Sequence, residues 1–448
     1  MQFVVHLLGQ LTATMNLKLP STVQQIVEGE KTIFFNPDIP SWVVTDHNGA
    51  LLLSLCNSTQ TKEEIINLFK EEYGREASAM VDKFLTYAIE SRLFDTPSPG
   101  ETPILRKNGR LSIVQLSISP SCNLNCRYCY ATDRRESGHP RMTLEDYQRV
   151  IDELCEMSEI VKFTLTGGEP LLNTNCLDIA RHIKQKGHYV DLLTNATLVD
   201  ENNVGRIAEV FDMVTVSMDG SNEELHESFR GQGTYRRTEH AIDLMISHGI
   251  DTRLSMTVNR LNIHDVAAMA RKYGSRLSFA PLFPAGNAKK GDQDISISGS
   301  EYYMAMRNAE GVNPLSYCES SLDEAQECRN CKCAMGDSEL SISATGDVYP
   351  CQLLHYPEFY IGNIHEKNIR EMYEQSSVVE RCRHLTVDNI EGCSTCFLKY
   401  VCGGACRARA FHECGDIRQS GSFCEYEQRA FIDGIINIYS ENRLDGGQ

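Results

Sequence analysis

Short apolar runs alternate with amphipathic segments through the middle of the chain. The runs at residues 112–118, 161–165, 190–193, 213–216, 252–258 and 276–279 are typical of buried strands. Helical periodicity separates them, at 144–156, 176–185, 202–210, 235–248 and 262–273. Strands that alternate with helices form parallel sheets with right-handed connections. We therefore predict an α/β fold whose central part is a partial, TIM-like (β/α)6 barrel, with its chemistry at the carboxyl ends of the strands.

A different pattern occupies residues 18–98. Extended segments at 31–36 and 41–45 flank a turn with two prolines, which predicts a hairpin. Three helical runs follow, and the second begins at Thr61 with Glu64 three residues later, the spacing of a capping box. This order indicates a winged-helix-like domain that is closed by a Pro- and Gly-rich linker at 97–103. We predict three domains, at 18–98, 104–310 and 311–433.

Charge and cysteine distribution limit the classes of partner. The formal net charge of the 448 residues is −18, which argues against nucleic acid and anionic membranes as partners, because phosphate groups require a basic surface. No segment has the long uncharged run of a membrane span. Of the 18 cysteines, twelve lie between Cys318 and Cys424. Such clustering suits metal clusters better than a disulfide framework, so we expect a reducing, cytoplasmic location.

Three cysteines directly follow the first predicted strand of the barrel. Cys122, Cys126 and Cys129 have the spacing C-x3-C-x2-C. Three thiolates on one tight loop can hold three irons of a cubane cluster and leave the fourth iron open. The alternative is a structural zinc site, for which His139 is the nearest candidate for a fourth ligand.

A second cysteine pattern lies near the C-terminus. Cys333 is followed by Gly346 and Cys351, and a later string has the spacing C-x2-C-x5-C-x3-C-x17-C from Cys393 to Cys424. An isolated pair such as Cys393 and Cys396 is also typical of half a zinc ribbon. The whole string in register is a far more specific signal than any pair within it.

The cysteine triplet, together with the sequence Thr-Gly-Gly-Glu-Pro at 166–170, resembles the radical S-adenosylmethionine (SAM) superfamily, and the C-terminal cysteines resemble its SPASM extension. The resemblance implies SAM and three [4Fe–4S] clusters as cofactors, the first cluster being held by Cys122, Cys126 and Cys129 as the catalytic centre. It implies SAM contacts by Tyr128, Gly167, Gly168, Glu169, Asn195, Ser217, Asp219 and Arg230. It further implies an outer auxiliary cluster on Cys393, Cys396, Cys402 and Cys424 and an inner one on Cys333, Cys351 and Cys406. The fourth inner ligand is left open among Cys318, Cys328 and Cys331, or an iron free to bind a substrate thiolate. Cys56, Cys155 and Cys176 fit buried structural positions.

The N-terminal unit, with its run from His47 to Cys56, resembles the PqqD-like recognition elements of peptide maturases. That resemblance implies a ribosomally made precursor peptide as partner, whose leader adds a strand to the hairpin. An external flavodoxin or ferredoxin would supply electrons. We expect a maturase of the sactipeptide and ranthipeptide type, which joins a cysteine sulfur to carbon. The alternatives are a carbon–carbon crosslinking maturase, an anaerobic sulfatase-maturing enzyme and a zinc-binding scaffold for peptides.

Overall fold

The computed structural model of the chain describes residues 17–57, 59–96, 111–133, 138–290, 295–309 and 331–445. Its N-terminal unit contains three antiparallel strands in the order β1-β2-β3 and three helices. The bounds are β1 (Gln24–Glu28), β2 (Lys31–Asn36), β3 (Ser41–Thr45), α1 (His47–Leu55), α2 (Lys62–Tyr73) and α3 (Ala77–Glu90). The predicted hairpin is present at its predicted bounds, and Thr61 and Glu64 cap α2 reciprocally. Strand β1 was not predicted, since most of its residues are exposed and it lacks apolar alternation.

The central sheet confirms the predicted α/β fold. All six predicted strands are present and pair in parallel in chain order. The strands are β4 (Ile113–Ser119), β5 (Lys162–Gly167), β6 (Tyr189–Thr194), β7 (Met213–Ser217), β8 (Asp251–Val258) and β9 (Leu277–Pro281). The intervening helices are α4 (Leu144–Met157), α5 (Cys176–Gln185), α6 (Val204–Val210), α7 (Glu223–Arg230), α8 (Thr234–Ser247) and α9 (Val266–Tyr273). Strand interiors and the inner faces of these helices form one large apolar core, which contains Cys176.

The sheet extends beyond the barrel on the side of β4. Strand β10 (Glu339–Ile342) pairs in parallel with β4 and antiparallel with β11 (Asp347–Tyr349), which pairs with β12 (Gly362–Asn363). The sheet therefore runs across the predicted boundary at 310/311. The remaining helices are α10 (Asn287–Lys290), α11 (Gly299–Asn308), α12 (Ile369–Gln375), α13 (Ser377–His384), α14 (Lys399–Cys402), α15 (Arg407–Cys414) and α16 (Cys424–Asp445).

The N-terminal unit packs on the C-terminal region. Ile33, Phe35 and Val44 share an apolar cluster with Leu398, Val401, Phe431, Ile432 and Ile435. The single tryptophan, Trp42, stacks on Phe35 and meets Phe431 edge-on at 5.6 Å between ring centroids. Ion pairs join Lys399 to Asp38 and Arg429 to Glu28 across the same contact. The unit is thus fixed against α14 and α16. None of the helices in the described ranges has the length and apolar character needed to cross a bilayer.

Candidate active site

The cysteine triplet lies on the loop that leaves the carboxyl end of β4. Cys122 is exposed, whereas Cys126 and Cys129 are half-buried. Burial raises the pKa of the Cys126 thiol to about 11; nearby Arg230 opposes this rise, and the thiols of Cys122 and Cys129 add to it. The Leu124 amide donates to Cys122 Sγ at 3.4 Å. The three thiols therefore lie near enough to interact electrostatically, at the edge of the sheet where parallel strands place their chemistry.

Two glycines at the end of β5 let the cysteine loop approach. A Cβ at Gly167 would lie 2.3 Å from the Ser119 carbonyl oxygen, and one at Gly168 would lie 2.4 Å from that of Ser121. The amides of Gly168 and Glu169 donate to these same carbonyls, at 2.7 and 2.9 Å. The backbone of the cysteine loop therefore occupies the space that a side chain at either glycine would need. The SAM contacts implied for Gly167 and Gly168 stay a prediction.

Glu169 is fully buried, and its carboxylate accepts three hydrogen bonds from the protein. Its Oε1 accepts from Thr194 Oγ1 at 2.7 Å and from the Leu171 amide at 3.1 Å, and its Oε2 accepts from the Asn195 amide at 2.9 Å. Burial raises the pKa of the carboxyl, and these hydrogen bonds oppose the rise. A carboxylate has about four acceptor positions, so one remains for a further donor such as an ammonium group.

Asn195, at the end of β6, joins that strand to the cysteine loop. Its Nδ2 donates to Asn123 Oδ1 at 2.9 Å and lies 3.9 Å from Cys122 Sγ. Its Oδ1 accepts from the hydroxyl and the amide of Thr197, at 2.6 and 3.0 Å. Asn195 therefore contributes a polar group directly beside the first thiol of the triplet.

Tyr128, Asp219 and Arg230 form a buried network beneath the loop. Asp219 Oδ2 accepts from both Tyr128 Oη and Arg230 Nε, while its Oδ1 accepts from the Thr257 amide at 2.9 Å. Asp219 is 0% exposed, and two of its three donors are the side chains of Tyr128 and Arg230, so it positions Arg230. The SAM contact that the sequence resemblance implies for Asp219 stays a prediction. Arg230 Nη1 lies 4.0 Å from Cys126 Sγ, so its charge is held next to the triplet.

Ser217 is half-buried at the end of β7, at the same sheet edge.

A segment that the sequence analysis missed closes the other side of the cysteine loop. The Asn287 amide donates to the Cys129 carbonyl at 2.9 Å, and Asn287 Nδ2 donates to the Cys126 carbonyl at 3.0 Å. Gly286 has a φ of +59° and would place a Cβ 2.2 Å from the Cys129 carbonyl oxygen. The sequence Ala-Gly-Asn after β9 was the available signal for this close approach.

The C-terminal cysteines separate into two groups. In the first, which we call the inner group, the thiols of Cys333 and Cys406 add to the burial that raises the pKa of Cys351. In the second, the outer group, the thiols of Cys393 and Cys396 add to the burial that raises the pKa of Cys424, and Cys424 acts likewise on Cys402. The sequence resemblance implies the same two sets, and their roles as cluster ligands stay a prediction.

Three consecutive residues with positive φ separate the two groups. Gly403, Gly404 and Ala405 have φ values of 68°, 88° and 54°. Such a run is rare outside glycine, because a Cβ crowds the left-handed backbone. It allows Cys402 to join the outer group and Cys406 the inner group although only three residues lie between them. Buried Arg407 stabilises the turn by donating to the carbonyls of Ile417 and Gln419, at 3.1 and 2.7 Å.

Aromatic side chains connect the triplet to the inner group. The ring of Tyr130, next to Cys129, meets Phe283 edge-on at 6.2 Å between centroids, and Phe283 meets His412 at 5.0 Å. Tyr130 Oη lies 3.5 Å from Oε1 of Gln352, the neighbour of Cys351. The first cysteine site and the inner group therefore flank a common region at the mouth of the barrel.

Comparison with known proteins agrees with this geometry. Residues 116–273 match the family model of the radical SAM superfamily, and residues 333–397 match that of SPASM, an iron–sulfur cluster-binding domain. The chain therefore combines a radical SAM domain with a SPASM domain. The radical SAM match contains the triplet, the glycines, Glu169 and Arg230; the SPASM match contains Cys333, Cys351, Cys393 and Cys396.

The relatives of this radical SAM and SPASM chain have several activities. An AdoMet-dependent heme synthase of Methanosarcina barkeri is 26% identical over 346 residues, which cover 70% of this chain and 96% of that protein. The subtilosin biosynthesis protein AlbA of Bacillus subtilis is 27% identical over 276 residues, 58% of this chain and 59% of that protein.

Solved structures share the fold. The structure of anSMEcpe with bound AdoMet has a TM-score of 0.59 at 20% identity and covers 74% of this chain and 96% of that one. The structure of Streptococcus suis SuiB bound to its precursor peptide SuiA has a TM-score of 0.54 at 16% identity. The SuiB match covers 91% of this chain and 99% of that one, so it extends further along the chain than the anSMEcpe match.

The residues present fit the cofactors of these domains, SAM and [4Fe–4S] clusters. Backbone amides donate to cysteine sulfurs in both C-terminal groups: Leu353 to Cys351 at 3.5 Å, Arg409 to Cys406 at 3.4 Å, and those of Gly404 and Ala405 to Cys402. Hydrogen bonds of this kind to the sulfurs are one of the features by which proteins tune iron–sulfur clusters. Within the described ranges, no three His, Cys, Asp or Glu side chains converge as ligands of a single metal ion.

Several sequence candidates lie elsewhere. Cys318 and Cys328 fall outside the described residues. His139, the candidate for a zinc ligand, stacks against His365 and pairs with Glu366 at 3.4 Å. Cys56 and Cys176 are buried and Cys155 packs at the edge of the core, as expected for structural cysteines.

Proposed function

We propose that this chain is a peptide maturase that forms a thioether between a cysteine sulfur and a carbon atom of a ribosomally made precursor peptide. The observation that carries the proposal is a groove beside an unpaired strand edge in the N-terminal unit, on the same chain as the radical SAM and SPASM domains. An extended peptide binds such an edge by main-chain hydrogen bonds, while the groove selects its side chains.

The groove lies at the carboxyl end of β3, and we call it the β3 groove. It has a volume of about 440 Å³ and is lined by Val44 and Thr45 of β3, Met80, Phe84 and Tyr87 of α3, and Tyr439 of α16. Strand β3 pairs with β2 on one side, and no other strand of the described residues pairs with its second edge. Tyr87 is 42% exposed, so an apolar ring is available to a bound peptide.

The comparisons support a peptide substrate. SuiB, whose fold match spans 91% of this chain, was solved bound to a precursor peptide, and AlbA takes part in bacteriocin biosynthesis. In our proposal the leader of the precursor binds the β3 groove, and its core segment reaches the mouth of the barrel. This proposal includes the assignment of the N-terminal unit as a PqqD-like recognition domain.

The chemistry requires two oxidising equivalents per crosslink. Joining Cys–S–H to C–H removes two hydrogens from the peptide: one leaves as a hydrogen atom, and the other as a proton and an electron. When bound, the first cluster and SAM supply the radical that takes the hydrogen atom, and the auxiliary clusters accept the electron. A flavodoxin or ferredoxin supplies the electron that starts each cycle.

The residues of the chain position these groups. The Asp219 carboxylate holds Arg230 beside Cys126, and Glu169 offers its remaining acceptor position to the SAM ammonium. The rings of Tyr130 and Phe283 lie between the triplet and the inner group. In our proposal the substrate binds in this region, within reach of the triplet and of the inner group. No proton-relay triad is needed, because bond cleavage at the substrate carbon is homolytic.

The test uses the full chain, purified and reconstituted without oxygen, with cysteine-containing candidate precursor peptides taken from any short reading frames that adjoin its gene. We expect a peptide mass lower by two hydrogens for each crosslink, and a cysteine that no longer reacts with iodoacetamide. Replacing Cys122, Cys126 and Cys129 by Ala abolishes both changes and SAM cleavage, whereas Cys155→Ala is the matched control. Vigorous SAM cleavage with no change in peptide mass would overturn the proposal.

Haem synthesis is a second candidate, because a heme synthase relative matches this chain over 96% of its own length. That match leaves 30% of this chain unaccounted for, whereas SuiB covers 91%. Formylglycine formation and carbon–carbon crosslinking are distinguished by the same experiment. Formylglycine gives an aldehyde that reacts with hydrazines, and a carbon–carbon bond leaves every cysteine free to react with iodoacetamide.

A further inference from the structure

A buried histidine lies one helical turn before Arg230. His226 and Arg230 are both on α7, four residues apart, so they share one face of the helix. His226 is 0% exposed, and its Nδ1 accepts a hydrogen bond from the Asp219 amide at 3.3 Å. The helix that carries Arg230 is therefore also bonded to the backbone of the residue whose carboxylate holds Arg230.

Every polar group of Asp219 has a partner. Its carbonyl accepts from Asn262 Nδ2 at 3.2 Å, and its Oδ1 accepts from the Thr257 amide at 2.9 Å. These two bonds fix Asp219 to β8 and to the loop that follows β8. The amide of Asp219 is bound from the other side, by His226 on α7. His226 thus completes the set of bonds that holds Asp219 in place, and it does so from the same helix as Arg230.

Helix α7 packs closely between the turn after β7 and the cysteine loop. A Cβ at Gly220, in that turn, would lie 2.7 Å from the His226 amide nitrogen. Any other residue at this position would push α7 away from the turn, and the imidazole with it. At the end of α7, the Arg127 amide of the cysteine loop donates to the Phe229 carbonyl at 2.9 Å. A change in the spacing between α7 and the turn would therefore be transmitted to the cysteine loop.

The surroundings of the ring favour a neutral imidazole. Burial, followed by the charge of Arg230, lowers the pKa of His226 to about 4. A neutral ring that accepts at Nδ1 carries its proton on Nε2. Within the ranges that the structure describes, this Nε2 has no hydrogen-bond partner. A buried donor without an acceptor costs stability, so packing alone would favour an apolar side chain at this position.

We propose that His226 is a positioning residue of the radical SAM site: by accepting from the Asp219 amide, it fixes the spacing between α7 and the turn after β7 and so holds Arg230 beside Cys126. The inference concerns the first cluster and SAM, and not the peptide substrate. Its readouts therefore remain valid if the proposed thioether chemistry fails.

The alternative is that His226 only fills space in the core, where its ring meets Tyr235 edge-on at 5.7 Å between centroids. The two roles rank three variants in opposite orders. His226→Asn keeps an oxygen acceptor close to the position of Nδ1, whereas His226→Gln carries its oxygen close to that of Nε2. His226→Leu has neither an acceptor nor an unpaired donor. If His226 only fills space, the Leu variant is tolerated best, whereas positioning requires the acceptor that the Asn variant retains.

The experiment compares these variants as full chains reconstituted without oxygen. Redox titration followed by electron paramagnetic resonance gives the potential of the first cluster, and isothermal titration gives SAM affinity. We expect His226→Leu and His226→Gln to lower that potential, because the positive charge of Arg230 moves away from the triplet. We expect the same two variants to bind SAM about tenfold more weakly, a loss equivalent to one hydrogen bond. The signals of the auxiliary clusters stay unchanged.

His226→Asn retains the wild-type potential and affinity. The matched control is His188→Leu, at the amino end of β6, where the ring Nδ1 lies 2.7 Å from the Ile160 carbonyl oxygen. This control removes a histidine bonded to the backbone at the opposite edge of the sheet, and it also retains both wild-type values. Thermal unfolding of the same chains measures packing separately, and we expect His226→Leu to be at least as stable as His226→Asn.

Wild-type potential and affinity in His226→Leu would overturn the proposal. If His226→Leu does not fold, the comparison of His226→Asn with His226→Gln decides the outcome, because these two side chains differ in where the oxygen lies. Equal losses in the Asn and Gln variants, or loss of folding in both, would assign His226 to the core and overturn the proposal as well.

Discussion

At the scale of single residues, the site depends on polar groups whose hydrogen-bonding capacity is nearly filled. Glu169 satisfies three donors from β6 and its own turn, and only its last acceptor position remains for a ligand. Asp219 likewise accepts three hydrogen bonds, but two of them come from the buried side chains of Tyr128 and Arg230, so we assign it the role of positioning Arg230. The kind of donor around each carboxylate, and not the number of donors, distinguishes the two assignments.

Replacing Glu169 by Gln tests the first assignment. The side-chain amide of Gln has no charge to offer an ammonium group, and its N–H₂ must face one of the three donors. We therefore expect SAM affinity to fall about tenfold to a hundredfold, a loss of about 1.5–3 kcal/mol of binding free energy. Isothermal titration of the reconstituted protein measures this change. Glu159→Gln, an exposed carboxylate on the same chain, serves as control. Unchanged affinity would show that Glu169 only closes its turn.

Replacing Asp219 by Asn tests the second assignment. The substitution leaves the buried guanidinium of Arg230 without its anionic partner, and breaking a buried ion pair in this way costs about 3–5 kcal/mol. We expect a large drop in the thermal unfolding midpoint, together with a changed spectrum of the first cluster, because Arg230 lies beside Cys126. A variant of normal stability that binds SAM weakly would instead support the direct SAM contact that the sequence resemblance implies for Asp219.

At the scale of elements, apolar periodicity predicted the strands whose side chains form the central core. Strands β4, β5 and β6 bury nearly continuous apolar runs, and β7 and β8 alternate buried with less buried residues, so the order and approximate bounds of the parallel strands were readable from the sequence. Strands β10, β11 and β12 have four, three and two residues and acquire their pairing from β4 and from one another, a signal too short for any period. The segment after β9 that holds the cysteine loop depends on contacts between distant segments, which no local pattern encodes.

Strand β6 carries a buried carboxyl that makes stability depend on pH. Burial raises the pKa of Asp191 to about 6, and Lys162 at 3.8 Å only partly opposes this. Because the folded pKa lies above the unfolded one, the carboxyl costs no stability below pH 4 and destabilises the fold as the pH rises through 6. We expect Asp191→Asn to stabilise the protein by about 1–3 kcal/mol at pH 8.5 and by less at pH 5.5.

Unfolding midpoints at the two pH values check this prediction. Asp212→Asn is the matched control: that carboxylate pairs with Lys184 at 2.8 Å on the protein surface and accepts from the Val190 amide. An equal effect of Asp191→Asn at both pH values would show that the folded carboxyl is already ionised at pH 5.5, and hence that its pKa is not raised to about 6.

At the scale of the whole molecule, the N-terminal unit is bound to the region of the outer cysteine group. Cys396 and Cys402 pack against the same apolar cluster that joins β2 and β3 to α16. Peptide binding in the β3 groove and cluster binding by the outer group therefore share one structural element, α16, which contributes Tyr439 to the groove and Cys424 to the group. Removing residues 17–96 would expose this cluster, so truncation does not isolate recognition from stability.

Point substitutions in the groove separate an effect on peptide recognition from an effect on stability. We expect Tyr87→Glu to weaken binding of the leader peptide at least tenfold, because a charge replaces an apolar contact, while peptide-independent SAM cleavage and iron content stay unchanged. Leu68→Glu, on the exposed face of α2, is the matched control. Equal affinity of the two variants for the leader would remove the groove from the recognition proposal.

The lone tryptophan reports on how the unit is held. Trp42 lies between Phe35 and Phe431 in the apolar cluster that includes Cys396 and Cys402. Iron–sulfur clusters absorb across the range of tryptophan emission, so a cluster on the outer group quenches Trp42 by energy transfer. We expect dim emission in the reconstituted protein and a marked increase in Cys396→Ala, with Cys129→Ala as a control that removes a thiol of the first cluster.

On addition of urea, the rise in Trp42 emission and the loss of cluster absorbance should follow one transition, because the unit and the outer group share a core. Two separate transitions would show that the N-terminal unit folds on its own, and truncation would then become a valid test of peptide recognition.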